Sequence, residues 1–496
     1  MQWDAFIGGF GRSQSPIADC ETLQNLYVQA MSSPGAKSGA VLYPTPGFEE
    51  FGRVSQAGAK RIFSTAASSS RVFAVIGSSF CEVMSNGSVT VHGAVAVDAN
   101  PATMVTNGDG GQQLGITAGG NFYCFDLLTN TLTQVVFLNG KATQCGFVIG
   151  YFLVFDINTG TVYQSDLYDG LTFDPLNFFQ RSVQADDWNG MFVAPWGQIF
   201  LPGTKTRDNY YNAGTFPIPF APSQSGTLPE GLAATFSLAA AGSRICWLGT
   251  TAEGGYKVFA TSGYEAITIS DEAIDYALSQ FTDDELASAT GETYTDQGHD
   301  FYLLYVGNTT FGFDFQSGVW HTRRTFVDAV SGQLGPWRAK WHCFGFSKHL
   351  WLDSGSGAIY EADITFTTDV DGLLIQRQRT SPSICKDNQV LDIGEFELKM
   401  QTGVGNANAP GNFPTVWLEI STDGGMTWGR QRSASVGRIG QYGIRVRWQG
   451  NGSGRDVAFR ITMTDPINNW RIIAAYLEIA DEQGRGVNLM SRKAAA

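Results

Sequence analysis

Histidine, the commonest general acid or base, occurs only five times in 496 residues, at positions 92, 299, 321, 342 and 349. None stands in an HExxH or CxxCH string, and His321 and His342 each follow a tryptophan, which marks them as structural rather than reactive. Charged residues make up 16% of the chain against a usual share of about 25%, too few for a disordered chain or a charged helical rod. The seven cysteines, at 20, 81, 124, 145, 246, 343 and 385, show no CxxC spacing. They exclude a disulfide framework or a zinc site and are expected to be buried free thiols of a reducing compartment. The longest apolar window, 146–155, falls well short of the roughly 20 residues of a membrane span, and the opening MQWDAFIGGFGRS lacks the basic and apolar parts of a signal peptide. No Lys or Arg lies between Lys257 and Arg323, so the main body lacks the clustered cations that neutralise phosphates.

What is abundant points one way. Glycine numbers 59 and aromatics reach 13%, a mixture that favours short strands joined by tight turns. From about residue 60 onward a β-branched or aromatic run, a Gly or Asn turn and a second run keep returning, as in 121–136 (NFYCFDLLTNTLTQVV), 151–165 (YFLVFDINTGTVYQS), 301–321 (FYLLYVGNTTFGFDFQSGVWH) and 350–361 (LWLDSGSGAIYE). With 71–92 and 244–270 these hairpins recur every 40 to 60 residues or so, near the spacing of four-stranded propeller blades. The expected fold is all-β: an N-terminal arm or connector over 1–55 with a short helix at 18–29, a β-propeller of about six blades over 56–385, and a C-terminal antiparallel β-sandwich over 386–496. A pair of folded-over sandwiches is the competing architecture. Within the propeller, 271–290 (DEAIDYALSQFTDDELASAT) sets Ile274, Ala277, Leu278 and Phe281 at helical spacing behind an acidic start, predicting a helical insertion. The stretch 365–388 is polar and reads as a linker, while TVWLEIS, YGIRVRWQ and DVAFRITMT beyond it alternate as strands with one wet face.

Chemistry is hard to find. No GxSxG elbow or GxxxxGK[ST] loop occurs, and no cofactor or metal is expected. The carboxylate pairs Asp186/Asp187, Asp283/Asp284 and Asp369/Asp371 read as solvated faces rather than a glycosidase pair. The strongest enzymatic lure is 421–428, STDGGMTW, the Asp-box of sialidase-like propellers. It is physically a hairpin turn in which Asp423 bonds turn amides, Gly424 and Gly425 permit positive φ, and Trp428 packs beneath. Charge is uneven: residues 1–385 carry 19 basic and 35 acidic side chains, residues 386–496 carry 13 and 11.

The motifs themselves resemble a family. Asn25-Leu26-Tyr27, then Lys37 and Val41 through Phe48 (VLYPTPGF), resemble the NLY and LYPTPG opening of the tail hub or nozzle proteins of short-tailed bacteriophages, the packaged-DNA stabilisation proteins. Val28-Gln29 stands where the family has Pro-Glu. The resemblance continues through 203–214 (GTKTRDNYYNAG), Phe216-Pro217, Trp247-Leu248-Gly249, Gly263-Tyr264, Ile269-Ser270, Gly298-His299, Phe301-Tyr302, Phe313-Asp314 and 317–321 (SGVWH). It implies a non-enzymatic virion protein assembled in the host cytoplasm: a propeller protomer of a six-fold ring below the portal and adaptor that continues the DNA channel, retains the genome and permits its ejection. Implied partners are further copies of itself, portal and adaptor proteins, tail fibre, spike or needle proteins, and duplex DNA passing without specific binding. A conduit for a polyanion suits an acidic wall, so Asp271, Glu272, Asp283, Asp284 and Glu285 are candidate lumen residues. Arg430, Arg432, Arg445, Arg447 and Arg460 are candidates for docking on an acidic partner, or simply keep a sheet face wet. The alternative reading is a peripheral receptor-binding or glycan-binding propeller of the tail, and the third a polysaccharide-degrading enzyme.

Overall fold

Seven four-stranded antiparallel units follow one another along the chain, over 59–94, 103–134, 144–180, 192–222, 239–268, 290–328 and 339–363. The computed structural model describes residues 1–480 apart from 34, 66–69, 182–184, 224–226, 252, 264, 329 and 468–469. The seventh unit has only three strands of its own and takes its fourth, Gly47–Arg53, from the N-terminal region, paired antiparallel with Ala358–Asp363. Borrowing that strand closes the propeller, so the expected count of about six blades rises to seven.

Closure is visible in the packing. Successive side chains of a strand point to opposite faces, and each blade is sandwiched between two others, so both faces must be apolar. In Val72–Ile76 all five residues are buried; Val72, Ala74 and Ile76 pack toward blade seven, while Phe73 and Val75 pack toward blade two. His299–Val306 divides likewise, with Tyr302, Leu304 and Val306 toward blade five and Phe301, Leu303 and Tyr305 toward blade seven. This is why the hairpins read as apolar runs rather than alternating strands.

The segment 1–55 is neither a free arm nor helical at 18–29. Thr22–Gln24 and Leu26–Ala30 are strands, because Leu26 and Tyr27, adjacent in sequence, are claimed by different cores, a demand a strand meets and a helix does not. Leu26–Ala30 and Ala40–Pro44 join Ile472–Ala480, Leu391–Met400 and Val446–Gln449 in one sheet of the sandwich. Thr22–Gln24, Arg377–Thr380, Ala458–Met463, Thr415–Ser421 and Arg432–Ser435 form the other. That second sheet runs on into blade six through a parallel bridge at Gln24 and Thr322. The stretch expected as a polar linker therefore contributes a sandwich strand, Arg377–Thr380, and its arginines are buried. Trp3 and Phe6 from the start of the chain sit in the sandwich core beside Phe396 and Phe459.

The insertion after blade five forms two helices, α1 (Glu272–Leu278) and α2 (Asp283–Ala287). The expected single helix is interrupted because Thr282 and Glu285 make a reciprocal capping box that starts a second one. Ile274, Leu278 and Leu286 anchor both to the core between blades five and six.

Candidate functional site

The junction between propeller and sandwich is built from residues of the NLY motif. Asn25 is 1% exposed and holds a left-handed backbone at φ 51, a conformation Asn tolerates better than most residues. Its side-chain amide donates to Arg324 O at 2.9 Å and Gln376 O at 2.8 Å, and its carbonyl oxygen accepts from Arg324 N at 3.0 Å. One side chain thus ties blade six to the strand entering the sandwich. Leu26 drops into the sandwich core; Tyr27 turns the other way, its ring 5.0 Å from His299 and 5.5 Å from Phe301.

A second latch lies alongside. His299 pairs through Nδ1 with Asp314 Oδ2 at 2.8 Å and through Nε2 with Gln29 Oε1 at 2.7 Å. Asp314 also accepts from Ser317 Oγ and Gln316 N, fixing the turn that precedes Val319. The Gly298-His299, Phe313-Asp314 and SGVWH strings are therefore one device: a turn that holds a buried histidine against the segment from the sandwich. Burial, with Arg323 beside it, holds His321 well below the usual histidine range. The third latch is Arg379, fully buried, donating to Phe6 O, Gly9 O and Glu21 Oε2 at 2.7 to 2.9 Å. Tyr264 lies outside the described residues.

The five acidic lumen candidates are all on the helical insertion. Asp271 caps α1 through Ile274 N, Asp283 accepts from Tyr256 OH at 2.7 Å and Glu285 belongs to the capping box. Glu272 and Asp284 are exposed and without a side-chain partner among the described residues. Lys257 pairs with Asp275 at 3.4 Å. The end of α2, Ala287 and Ser288, lines an axial cavity of the propeller; none of the five acidic residues is in its wall.

Arg432 and Arg460 lie on strands of one sandwich sheet and Arg447 on a strand of the other, while Arg430 and Arg445 lie just outside the strands. Arg445 pairs with Glu395 and Glu397, and Arg447 with Glu395 at 3.4 Å, as cross-strand rungs. Arg432 donates to Gln449 O, Gly450 O and Asn451 Oδ1. Arg460 meets Glu419 at 3.5 Å and stacks 3.7 Å over Trp428. Arg430 alone of the five is free of such partners among the described residues.

The Asp-box is a turn, as its residues predict. Asp423 accepts from Ser421 Oγ and from the amide and hydroxyl of Thr427, contacts that hold its carboxyl down to about 2. Gly424 and Gly425 have φ of 71° and 92°. A Cβ on Gly425 would come within 2.6 Å of Cys20 Cβ, so the loop is pressed on the N-terminal segment. Of the cysteines, Cys20, Cys81, Cys124, Cys246 and Cys343 are buried free thiols, Cys145 is half-buried and Cys385 exposed.

A propeller closed by its own N-terminal strand and latched to a sandwich through buried polar side chains is a two-domain scaffold. The chain belongs to the phage-stabilisation family of bacteriophage P22 Gp10: the family's β-propeller matches residues 19–367 and its β-sandwich residues 376–474. It is thus a bacteriophage structural protein of the tail hub or nozzle kind, concerned with stabilising packaged DNA. No curated protein matches the chain in sequence. Among solved structures, virginiamycin B lyase from Staphylococcus aureus is 9% identical, with 64% of this chain and 99% of that one covered at a TM-score of 0.43. Exo-beta-1,3-galactanase from Phanerochaete chrysosporium is 8% identical over 86% and 96% of the two chains, with a TM-score of 0.28. These are resemblances of fold alone.

Proposed function

We propose that this protein is one protomer of a tail ring that continues the DNA channel below the portal and adaptor, holds the packaged genome and opens for its ejection. The observation that carries this is the match of both domains, in order, to one phage stabilisation protein. The propeller's own axis is not the conduit. It contains two cavities of about 420 Å³ each, the size of a single small ligand, with Trp341 in the wall of both. DNA must then pass between copies, which is what a ring supplies. In that ring the face carrying Glu272 and Asp284 turns to the channel, where like charge keeps the duplex sliding. With screening limiting each charge to about 8 Å at physiological salt, only side chains at the wall contribute. Arg430 is the candidate among the basic residues for contact with an acidic tail partner. The chain carries no enzymatic task, and the ring assembles in the host cytoplasm.

Imaging the purified protein with the portal and adaptor of the same phage by electron microscopy tests this. A ring coaxial with the portal supports the reading. A peripheral position, or no association when all partners are folded, replaces it with a receptor-binding role. Within the ring, E272K/D284K is expected to slow DNA release from virions; unchanged release removes these residues from the channel wall.

A further inference from the structure

The first strand of each blade pairs on one side only, and these inner edges leave space along the propeller axis. One end of that space is a cavity of about 420 Å³, within the range that takes one small molecule. Its wall is chiefly apolar, with Met104, Phe147, Val148, Met191, Val193 and Leu238 supplied by blades two to five. The two methionines make it adaptable in shape. Trp341, from blade seven, belongs to this wall and to that of the second axial cavity, so its indole stands between them and closes the inner end. The outer end is reached at Ile149, Pro195 and Gly197, on the turns that follow Gln144–Val148 and Phe192–Val193. Ile149 is 57% exposed and Trp196 is 43% exposed, which gives the mouth an apolar lip.

Among the described residues Arg61, on strand Ala59–Ser64 of blade one, is the only charged residue of this wall. Its guanidinium carbon lies 5.2 Å from the Trp341 ring centroid, which sets the charge toward the closed end. No hydrogen bond or ion pair among the described residues engages that guanidinium. The other polar side chains of the wall are spent. Gln144 donates to Thr235 O at 3.0 Å and accepts from Met191 N at 2.7 Å. Thr103 Oγ1 is bonded to Thr117 Oγ1 at 2.6 Å and accepts from Cys145 N at 2.9 Å, while Cys145 Sγ meets Thr103 Oγ1 at 3.3 Å. Glu292 feels the arginine but lies outside the wall, and burial pushes its carboxyl up to about 7, which makes it a weak counter-ion near neutrality.

An arginine stays charged at any physiological pH, and a charge taken out of water without a partner is costly. What relieves this one is a monoanion, since a single guanidinium faces the space. A phosphate or sulfate dianion would leave oxygens unpaired against apolar side chains. A carboxylate presents two oxygens to the planar fork of one guanidinium, and a hydrocarbon chain matches the rest of the wall. We infer that this cavity binds an aliphatic carboxylate, its head group paired with Arg61 at the closed end and its chain running along the apolar wall toward the lip at Ile149. The inference is independent of the ring reading.

Isothermal titration calorimetry of the full chain with decanoate, hexanoate and 1-decanol, each kept below the concentration at which it aggregates, tests this. Decanoate is expected to saturate one site and to bind about tenfold or more tightly than 1-decanol, which keeps the chain and lacks the charge. Hexanoate is expected to bind more weakly than decanoate, each methylene being worth about threefold as it leaves water for the wall. Arg61→Met, which keeps an apolar stem and removes the charge, should bring decanoate to the affinity of 1-decanol. Equal affinity for decanoate and 1-decanol in the unaltered chain, or no binding of decanoate, overturns the inference without recourse to a variant. Several decanoates per chain, unaffected by Arg61→Met, would put the binding on the outer surface and overturn it as well.

Discussion

At the residue scale, the junction depends on side chains whose partners are backbone groups, and these do not rearrange. Removing the Asn25 amide strands Arg324 N and Arg324 O in a buried place, at about 1–3 kcal/mol for each group left unsatisfied, and leaves Gln376 O with Gln24 Nε2 at 3.2 Å as its side-chain donor. Asn25→Ala is therefore expected to lower stability by about 2 kcal/mol or more in chemical denaturation; Asn25→Asp, which keeps the acceptor for Arg324 N but turns a buried carboxylate oxygen on two carbonyls, should lose at least as much. A loss under about 0.5 kcal/mol for Asn25→Ala would show that the latch is not needed. Two buried carboxyls give a pH signature. Glu292 is raised from 4.5 to about 7 and Asp369 from 3.8 to about 6, both chiefly by burial. An acid whose folded value is raised contributes stability that is full below its ordinary value and is lost as pH climbs through the folded one. Their share of the stability is thus expected to fall between about pH 4 and 7, against the opposite trend of the buried neutral His321 and His342, and Glu292→Gln should remove part of that fall, on the order of 2 kcal/mol by about pH 8. Parallel pH profiles for the two proteins would contradict the assignment.

At the scale of elements, the closing strand Gly47–Arg53 is the most exacting piece. Phe48 fills the core between blades six and seven. Gly357 permits the chain to pass so closely that a Cβ there would lie 2.0 Å from Gln56 O and 2.3 Å from Val54 O, both backbone atoms that cannot yield. Gly357→Ala is expected to unzip this strand from Ala358–Asp363, seen as hydrogen exchange accelerated in blade seven and in 47–53 while blades three and four keep their protection; uniform exchange would refute it. Such closure explains what the sequence disclosed and what it hid. Hairpin strings such as YFLVFDINTGTVYQS are legible because both strands and the turn are contiguous. Blade seven is not, since its outer strand lies some three hundred residues away and looks like part of an arm. The acidic helical insertion was readable from Ile274 and Leu278, yet its break needed the Thr282–Glu285 box to be noticed. Least legible was the bulge at Trp341, which sits at φ 62 where the register slips between Lys340 and His342 and has no local marker in the sequence. The docking arginines illustrate the converse, since alternation along strands located Arg445 and Arg447 but could not reveal the glutamates opposite them.

For the molecule as a whole, the question is whether propeller and sandwich behave as two domains or one. A linker between separate domains leaves few contacts across the boundary, and then each melts by itself. Here the N-terminal region crosses twice. It gives Trp3, Phe6 and Leu26 to the sandwich core, Tyr27 and Phe48 to the propeller, and Thr22–Gln24 to a sheet continuous between them. Neither part retains its core once this segment leaves: the propeller loses the strand that closes it, and the sandwich loses three strands together with the residues beneath them. The expected outcome is a single cooperative transition, with near-ultraviolet and far-ultraviolet circular dichroism melting together and calorimetric and van't Hoff enthalpies equal. Trp3→Ala supplies the sharper test, because a change confined to the sandwich core should lower the whole transition rather than split it. Two resolved transitions, one unmoved by that substitution, would mean that the shared segment joins the domains without coupling them. A coupled pair transmits force from one face of the protein to the other, which is what the proposed ring would require of each protomer under the pressure of a packaged genome.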